Sequence, residues 1–298
     1  MTALVTASKG QEKEIKYLSG TDKDHTVSWD FYCTAGRKSG AWTTIQVPSC
    51  WEQQGFGAYN YGRDYKTYGR NFRFAEEKGL YRHSFTIPAN WKSKEVFLVF
   101  EGAMTDAEVK INGQPAGPIH QGAFYRFKYN ITNKLLPGKP NKLEVTVSKM
   151  SADESVNNAE RLADYWIFGG IFRPVYLEAV PKEYIDYTAI DAQADGSFAM
   201  KVVLKHISGA RQLTATIKDA TGKTVATASQ AVKLNDSIVQ LTAKVNNPHQ
   251  WTAETPRLYT VETTIRQGAA PLPAHVIALV FAPLKYAKAM VFTSMAYK

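Results

Sequence analysis

The sequence has few of the residues on which disulfide-rich proteins and metalloproteins depend. Its 298 residues include two cysteines, Cys33 and Cys50, which are too few for a disulfide scaffold and lack the spacing of a metal site. Its six histidines form no HxxxH or HExxH pattern. We therefore predict no cofactor and no metal. The two cysteines would pair only in an exported protein, so a disulfide and two buried free thiols both stay open.

The chain also lacks a hydrophobic run long enough to span a bilayer. The longest candidate, Leu272 to Leu284, is shorter than the roughly 18 apolar residues that a spanning helix needs, and it holds two prolines and a histidine. We therefore predict no membrane span. The start, MTALVTASKGQ, resembles the last part of a secretory signal without its basic first region. If residues 1–27 retain a signal remnant, the protein is periplasmic or secreted; otherwise it is cytoplasmic.

Acidic residues stop before the end of the chain, and none follows Glu262. Four basic residues lie beyond it, so the formal net charge of +9 reduces to 32 basic against 27 acidic residues in 1–262. That excess is small and dispersed, without a basic stripe interleaved with aromatic residues. We therefore predict no nucleic-acid partner.

The chain is rich in the apolar and polar alternation that favours β-strands. Such runs lie at 79–88, 95–102, 107–117, 141–149 and 172–181. Within them, Asn112-Gly113 predicts a two-residue hairpin turn, because both turn positions need positive φ. After Pro181, short alternating stretches continue to about residue 266 at the spacing of an immunoglobulin-like sandwich. The predicted fold class is all-β.

Three stretches stand in the order and at the spacing of one known family. They are IQVPSCWEQQGFGAYNYG (45–62), VFLVFEGAMTDAEVKINGQPAGPIHQGAFYRFKYNIT (96–132) and DYWIFGGIFRPVYLEAVP (164–181). Together they resemble the N-terminal half of glycoside hydrolase family 2, the β-galactosidase and β-glucuronidase group. The similarity continues into WTAETPRLYTVETTI at 251–265.

The resemblance implies a jelly-roll, galactose-binding-like β-sandwich at 28–181, after an N-terminal arm at 1–27, and an immunoglobulin-like β-sandwich at 182–266. Family members are retaining glycosidases that hold two carboxylates about 5 Å apart. Those carboxylates lie in a (β/α)8 barrel of about 250 residues, whereas 32 residues follow position 266 here. We therefore expect the non-catalytic N-terminal portion of a β-galactosidase-type hydrolase, inactive alone and built to pack on a barrel. A stand-alone carbohydrate-binding module is the alternative.

The resemblance also implies a role for Asp164. The matching acid of the family points from this domain toward the pocket, where a carboxylate accepts hydrogen bonds from the hydroxyls of a β-glycoside. A local salt bridge with Arg161 or Arg173 is the alternative. The glycine pair at 169–170 is expected to allow a close backbone approach where a loop returns to a strand.

The loop AYNYGRDY at 58–65 provides further candidates for the rim of the same site. Tyr61 offers an aromatic face, and Arg63 and Asp64 offer charged hydrogen-bonding groups. Many family members have an asparagine near the position of Arg63, so this residue departs from the pattern. Tyrosines that only anchor the loop are the alternative.

The last stretch, LVFAPLKYAKAMVFTSMAYK at 279–298, differs in composition from the rest of the chain. The stretch can be back-translated from Leu279 with permitted codons and read again by joining the last base of each codon to the first two bases of the next. This shifted frame encodes Phe-Gly-Phe-Arg-Thr-Ile-Glu-Val, which resembles the family's strand leading into the barrel. The third bases of most codons are a free choice, but Met290-Val291 can yield only Gly in the shifted frame. We therefore predict that residues 267–298 are a frameshifted, non-native tail without a burial partner. An amphipathic helix at 276–292 is the alternative.

Overall fold

The computed structural model describes residues 13–69, 72–267, 270–271 and 275–282. Its strands form antiparallel sheets, which confirms the predicted all-β class. The chain divides into two compact units, one of residues 13–179 and one from residue 180 onward. The first 12 residues of the predicted arm and the predicted tail beyond residue 282 lie outside the described residues.

Residues 13–180 form a series of strands with two short helices. The strands are β1 (Glu14–Tyr17), β2 (Val27–Cys33), β3 (Trp42–Val47), β4 (Asn60–Tyr61), β5 (Lys78–Phe85), β6 (Glu95–Phe100), β7 (Asp106–Ile111), β8 (Gln114–Pro115), β9 (Phe127–Asn130), β10 (Asn141–Ser148), β11 (Trp166–Ile167) and β12 (Val175–Val180). The helices are α1 (Asp64–Tyr68) and α2 (Glu154–Glu160), and 3-10 turns lie at Trp51–Gln54, Ala89–Ser93 and Thr132–Lys134. The five runs predicted as strands correspond to β5, β6, β7 with β8, β10 and β12, which confirms them.

Two sheets make the β-sandwich of this unit. One has the strand order β1-β12-β6-β9 and the other β3-β2-β5-β10-β7-β8. Alternation turns every second side chain inward, so that Leu143, Val145 and Val147 of β10 are buried between more exposed neighbours. They join Leu98 and Phe100 of β6 in one hydrophobic cluster shared by both sheets. Each fully buried side chain of this kind contributes about 1.5–3 kcal/mol, so this cluster is a main source of stability.

The segment after residue 12 belongs to the sandwich, contrary to its prediction as part of a separate arm. Strand β1 pairs with β12, from Glu14 opposite Ala179 to Tyr17 opposite Tyr176. Leu18 is then buried in the core of the unit. A strand of four residues is too short to show a clear local pattern. Its pairing partner also lies more than 150 residues further along the chain, so nearby sequence did not indicate the pairing.

The second unit contains the strands that follow Pro181. They are β13 (Tyr184–Ala192), β14 (Ser197–Lys205), β15 (Arg211–Lys218), β16 (Thr224–Val232), β17 (Ile238–Lys244), β18 (Tyr259–Gln267), β19 (Ala270–Pro271) and β20 (His275–Leu279). One sheet has the order β13-β14-β17, and the other has β16-β15-β18 with β19 and β20 both on β18. Phe198, Val202, Leu213 and Val261 lie in the shared core.

This unit extends past residue 266, the predicted end of the immunoglobulin-like module. Strand β20 pairs with β18, and Ile277, Leu279 and Phe281 are buried in the core. The expectation that the tail lacks burial partners is therefore wrong for residues 276–282, because backbone pairing needs no particular side chain and the apolar residues alternate correctly. The alternative helix at 276–292 is also wrong at its start, since residues 276–279 form a strand.

Candidate functional site

A short two-stranded ribbon brings together two loops that are far apart in sequence. Strands β4 and β11 pair antiparallel, with Tyr61 opposite Trp166. The N–H of Gly62 donates to the carbonyl of Tyr165 at 2.9 Å. A Cβ at Gly62 would lie 2.2 Å from the carbonyl oxygen of Ala163, so the loops approach this closely only because residue 62 is glycine. We call β4 and β11 the site ribbon.

The ribbon brings the three predicted site residues into contact. The hydroxyl of Tyr61 donates to Oδ1 of Asp164 at 3.3 Å. Arg63 Nε lies 2.6 Å from the same oxygen and forms an ion pair with it. The side chain of Asp164 is 63% exposed, which leaves room for further hydrogen bonds. Asp164 thus has Arg63 as its ion-pair partner, whereas Arg161 and Arg173 donate to backbone carbonyls.

The hydroxyl of Tyr61 is held in its protonated form. Partial burial and the neighbouring Asp164 carboxylate both raise the pKa of this phenol. The hydroxyl therefore acts as a donor to Asp164 throughout the neutral range.

Two exposed aromatic rings flank this pair, and the sequence reasoning did not place either of them in the site. Trp166 is 52% exposed and Tyr59 is 45% exposed. Their rings meet edge to face with centroids 6.0 Å apart, and the Tyr61 ring meets Trp166 in the same way at 5.6 Å. In the structure Ile167 is fully buried and Trp166 beside it faces outward, but a strand of two residues is too short for its sequence to show that alternation.

A buried ionic cluster lies at the other end of the ribbon. Lys149 is fully buried, and its Nζ is 2.9 Å from Oε1 of Glu52 and 2.9 Å from Oε1 of Glu77. The Glu52 carboxylate accepts a hydrogen bond from the N–H of Gly169 at 3.1 Å. The Glu77 carboxylate accepts one from the N–H of Ala58 at 3.0 Å. Each carboxylate therefore fixes one of the two segments that lead into the ribbon.

The electrostatics of this cluster are those of charges removed from water. Burial raises the pKa of Glu52, and the Lys149 charge and hydrogen bonds only partly oppose that effect. The nearby Arg161 is also fully buried and donates to the carbonyl of Phe168. Sequence reasoning missed these charges because each stands next to polar residues, like an ordinary surface group.

The glycine pair allows the close approach that was predicted for it. A Cβ at Gly169 would lie 2.1 Å from Cζ2 of the fully buried Trp51. Gly170 has φ +130° and would place a Cβ 2.6 Å from the carbonyl oxygen of Ser49. This confirms the structural explanation of the pair, which packs the returning loop against the first helical turn.

Other predicted features can be compared with the described part of the chain. Cys33 and Cys50 are both buried and free. Within the described residues, no group of three or more His, Cys, Asp and Glu side chains is arranged to hold a metal ion. No helix among those residues has the length and apolar character required to cross a membrane.

Two family models together match most of the chain. One, described as "Glycosyl hydrolases family 2, sugar binding domain", matches residues 28–181. The chain belongs to glycoside hydrolase family 2. A second model, described as "Glycosyl hydrolases family 2", matches residues 179–272. Both results confirm the family that the three sequence stretches indicated.

Relatives in family 2 extend well beyond the matched part. A putative beta-glucuronidase from Formosa agariphila is 28% identical over 229 residues, which are 75% of this chain and 26% of that protein. A beta-galactosidase from Priestia megaterium is 26% identical over 251 residues, which are 78% of this chain and 24% of that protein. The chain thus spans about a quarter of the length of these curated relatives. It corresponds to the non-catalytic N-terminal domains of family 2 enzymes.

Solved family 2 structures share the fold. A beta-glucuronidase from Bacteroides uniformis superposes with a TM-score of 0.69 at 24% identity, covering 91% of this chain and 32% of that one. A putative beta-galactosidase from Bacteroides fragilis gives a TM-score of 0.67 at 24% identity, covering 90% of this chain and 41% of that one. These similarities support the β-sandwich architecture of the described units.

Proposed function

We propose that Asp164, together with Arg63 and Tyr61, forms part of the wall of a sugar site in a β-galactosidase-type glycoside hydrolase. In this proposal a jelly-roll domain at about residues 28–181 presents the wall, and an immunoglobulin-like domain follows it. The two catalytic carboxylates of the retaining reaction are supplied by a (β/α)8 barrel outside residues 1–298. The substrate class is β-galactosides or related β-glycosides.

The observation that supports this function most strongly is the exposed carboxylate of Asp164, which is held by the Arg63 cation and the Tyr61 hydroxyl. Sugar hydroxyls both donate and accept hydrogen bonds, so an Asp and Arg pair satisfies both directions. The Trp166 ring, 52% exposed, offers an apolar face to the C–H groups of a pyranose. Although Arg63 departs from the family pattern, its 2.6 Å ion pair with Asp164 supports its place in the site.

A titration of the full chain with methyl β-D-galactopyranoside, followed by saturation-transfer NMR, tests the role of Asp164. A hydrogen bond to a charged group contributes about 1.5–3 kcal/mol, so Asp164→Ala should weaken binding by about tenfold or more. Asp195→Ala is the matched control, because Asp195 is 64% exposed and forms an ion pair with Lys244 at 2.8 Å. Equal binding by Asp164→Ala and the unchanged chain, or no binding by the unchanged chain, would refute this role.

A stand-alone carbohydrate-binding module is the second candidate, and the exposed pair of Tyr59 and Trp166 favours it. Such a module needs an aromatic platform that binds a glycan without help from another domain. The same titration separates the two functions. Binding in the millimolar range fits a site wall that a second domain completes, whereas micromolar binding fits an independent module.

We also propose that the coding frame shifts within residues 267–279. The family match ends at residue 272, and the alternative frame from Leu279 spells a family-like strand. The burial of Leu279 and Phe281 is compatible with either frame, because both frames encode an apolar residue at positions 279 and 281. Sequencing the gene across these codons tests the proposal, and a continuous frame with unrelated codons would exclude it.

A further inference from the structure

We propose that Lys149 is a positioning residue for the sugar site, because its buried ammonium fixes the two strands of the site ribbon relative to each other. This inference rests on the proposed function of Asp164. Lys149 itself is fully buried and does not reach the site, so it acts through the groups that it holds.

Lys149 lies next to the centre of the larger sheet. It directly follows β10, the strand at the centre of the larger sheet, where β5 and β7 pair on either side. Its ammonium is 2.9 Å from Glu52, in the 3-10 turn Trp51–Gln54, and 2.9 Å from Glu77, directly before β5. One charge at the end of a central strand therefore contacts two segments that are separate in sequence.

The two carboxylates hold backbone groups on either strand of the site ribbon. Glu52 accepts from the N–H of Gly169, two residues after β11. Glu77 accepts from the N–H of Ala58, two residues before β4, and the Lys149 ammonium donates to the carbonyl of the same residue. All of these anchors are backbone groups, so they fix the path of the chain and not a side-chain rotamer.

The site ribbon connects these anchors to the candidate site. Because β4 and β11 run antiparallel, Ala58 and Gly169 lie at the same end of the ribbon. Tyr61 and Trp166 lie at the other end and face the site. Tyr61 is three residues from Ala58, roughly 10 Å along an extended chain. A change in spacing at the anchored end therefore displaces the groups around Asp164.

The cluster is poorly suited to a purely stabilising role. Removing three charges from water costs free energy, and well-packed neutral residues often serve stability as well or better. A fixed set of ionic and backbone contacts does favour one geometry over others, and positioning accounts for the three backbone groups that Glu52, Glu77 and Lys149 hold.

The test compares two variants. In one, the three charged residues of the cluster are replaced by uncharged residues; in the other, an ion pair of the second unit is replaced in the same way. The variant Glu52→Gln/Glu77→Gln/Lys149→Met removes all three charges of the cluster, and its control Glu183→Gln/Arg211→Met neutralises a largely buried pair in the second unit. We expect the variant to fold, to bind methyl β-D-galactopyranoside at least tenfold more weakly, and to exchange the Gly62 amide hydrogen at least tenfold faster. The control should change neither quantity. Should the triple variant not fold, Glu52→Gln alone keeps the acceptor for Gly169 and should shift both readouts in the same direction.

The two readouts separate this inference from the function on which it rests. If the unchanged chain binds no sugar, the proposed function fails, while amide exchange at Gly62 still reports whether the cluster orders the ribbon. A folded variant with unchanged exchange at Gly62 would overturn the inference. So would faster exchange combined with unchanged sugar affinity, because the cluster would then order the ribbon without positioning the site.

Discussion

Gly169→Ala should strongly destabilise the first unit, because the space beside Gly169 is filled by Trp51. The added Cβ would lie 2.1 Å from Cζ2 and 2.4 Å from Cη2 of that indole, whereas carbon atoms in contact are about 3.5–4.0 Å apart. Trp51 has little freedom to move, because Gly57 and Gly79 also pack against its indole. A Cβ at either glycine would lie 2.8 Å from an atom of that ring. The indole thus occupies space left by three missing Cβ atoms.

The expected loss follows from this overlap. Overpacking a core usually costs about 1–3 kcal/mol, and a contact this short with a fully buried ring places Gly169→Ala at the upper end, about 3 kcal/mol. The φ angle of Gly169 lies outside the left-handed region, so backbone strain adds nothing. For a unit of this size, such a loss lowers the melting temperature by roughly 6–12 °C.

Denaturant unfolding followed by tryptophan fluorescence measures this loss. Gly209→Ala is the control, because its Cβ would meet only the flexible end of Arg211 at 3.2 Å, and it should change stability by less than about 0.5 kcal/mol. In a Trp51→Phe background the benzo ring is absent, so Gly169→Ala should then cost about 1 kcal/mol or less. The steric argument would be refuted if Gly169→Ala cost about 3 kcal/mol in the Trp51→Phe background as well, or if Gly169→Ala alone caused no loss of stability.

Two further predictions concern ion pairs. Burial alone raises the pKa of Glu101, but hydrogen bonds led by that from Arg126 outweigh it and lower the pKa. This contribution to stability is therefore present above the ordinary carboxyl pKa and is lost as pH falls through the lowered value. In urea unfolding, the loss of unfolding free energy caused by Glu101→Gln should become smaller between about pH 7 and about pH 3.5. A loss that stays constant over this range would contradict the prediction. Arg211→Met leaves the largely buried Glu183 unpaired and should cost about 1–3 kcal/mol. Lys244→Met, which breaks an exposed pair, should destabilise the chain much less than Arg211→Met does. Equal shifts of the melting temperature would contradict the burial argument.

Local chemistry was sufficient to predict several parts of the fold. Asn112 and Gly113 have φ of +51° and +81°, as the hairpin between β7 and β8 requires. Strand β10 alternates between buried and more exposed side chains in the order that its sequence shows. These features depend on neighbours along the chain, so the sequence contains the information directly.

The candidate site was predictable only in part. Asp164, Tyr61 and Arg63 were chosen from two separate stretches, and the pairing of β4 with β11 brings them together. The exposure of Trp166 was missed, because a two-residue strand is too short to show alternation. The short pairing of β1 was missed for the same reason.

The sequence by itself determined the family, the all-β class and most of the strands, because these depend on motifs and on alternation along the chain. Only the tertiary structure showed that Lys149, Glu52 and Glu77 are buried together. It also showed Leu279 and Phe281 in the second core. The physical reason is the same in both cases, because burial depends on which distant segments cover a residue. Neither a lysine between a serine and a methionine nor an apolar stretch near the end of the chain shows which segments will cover it.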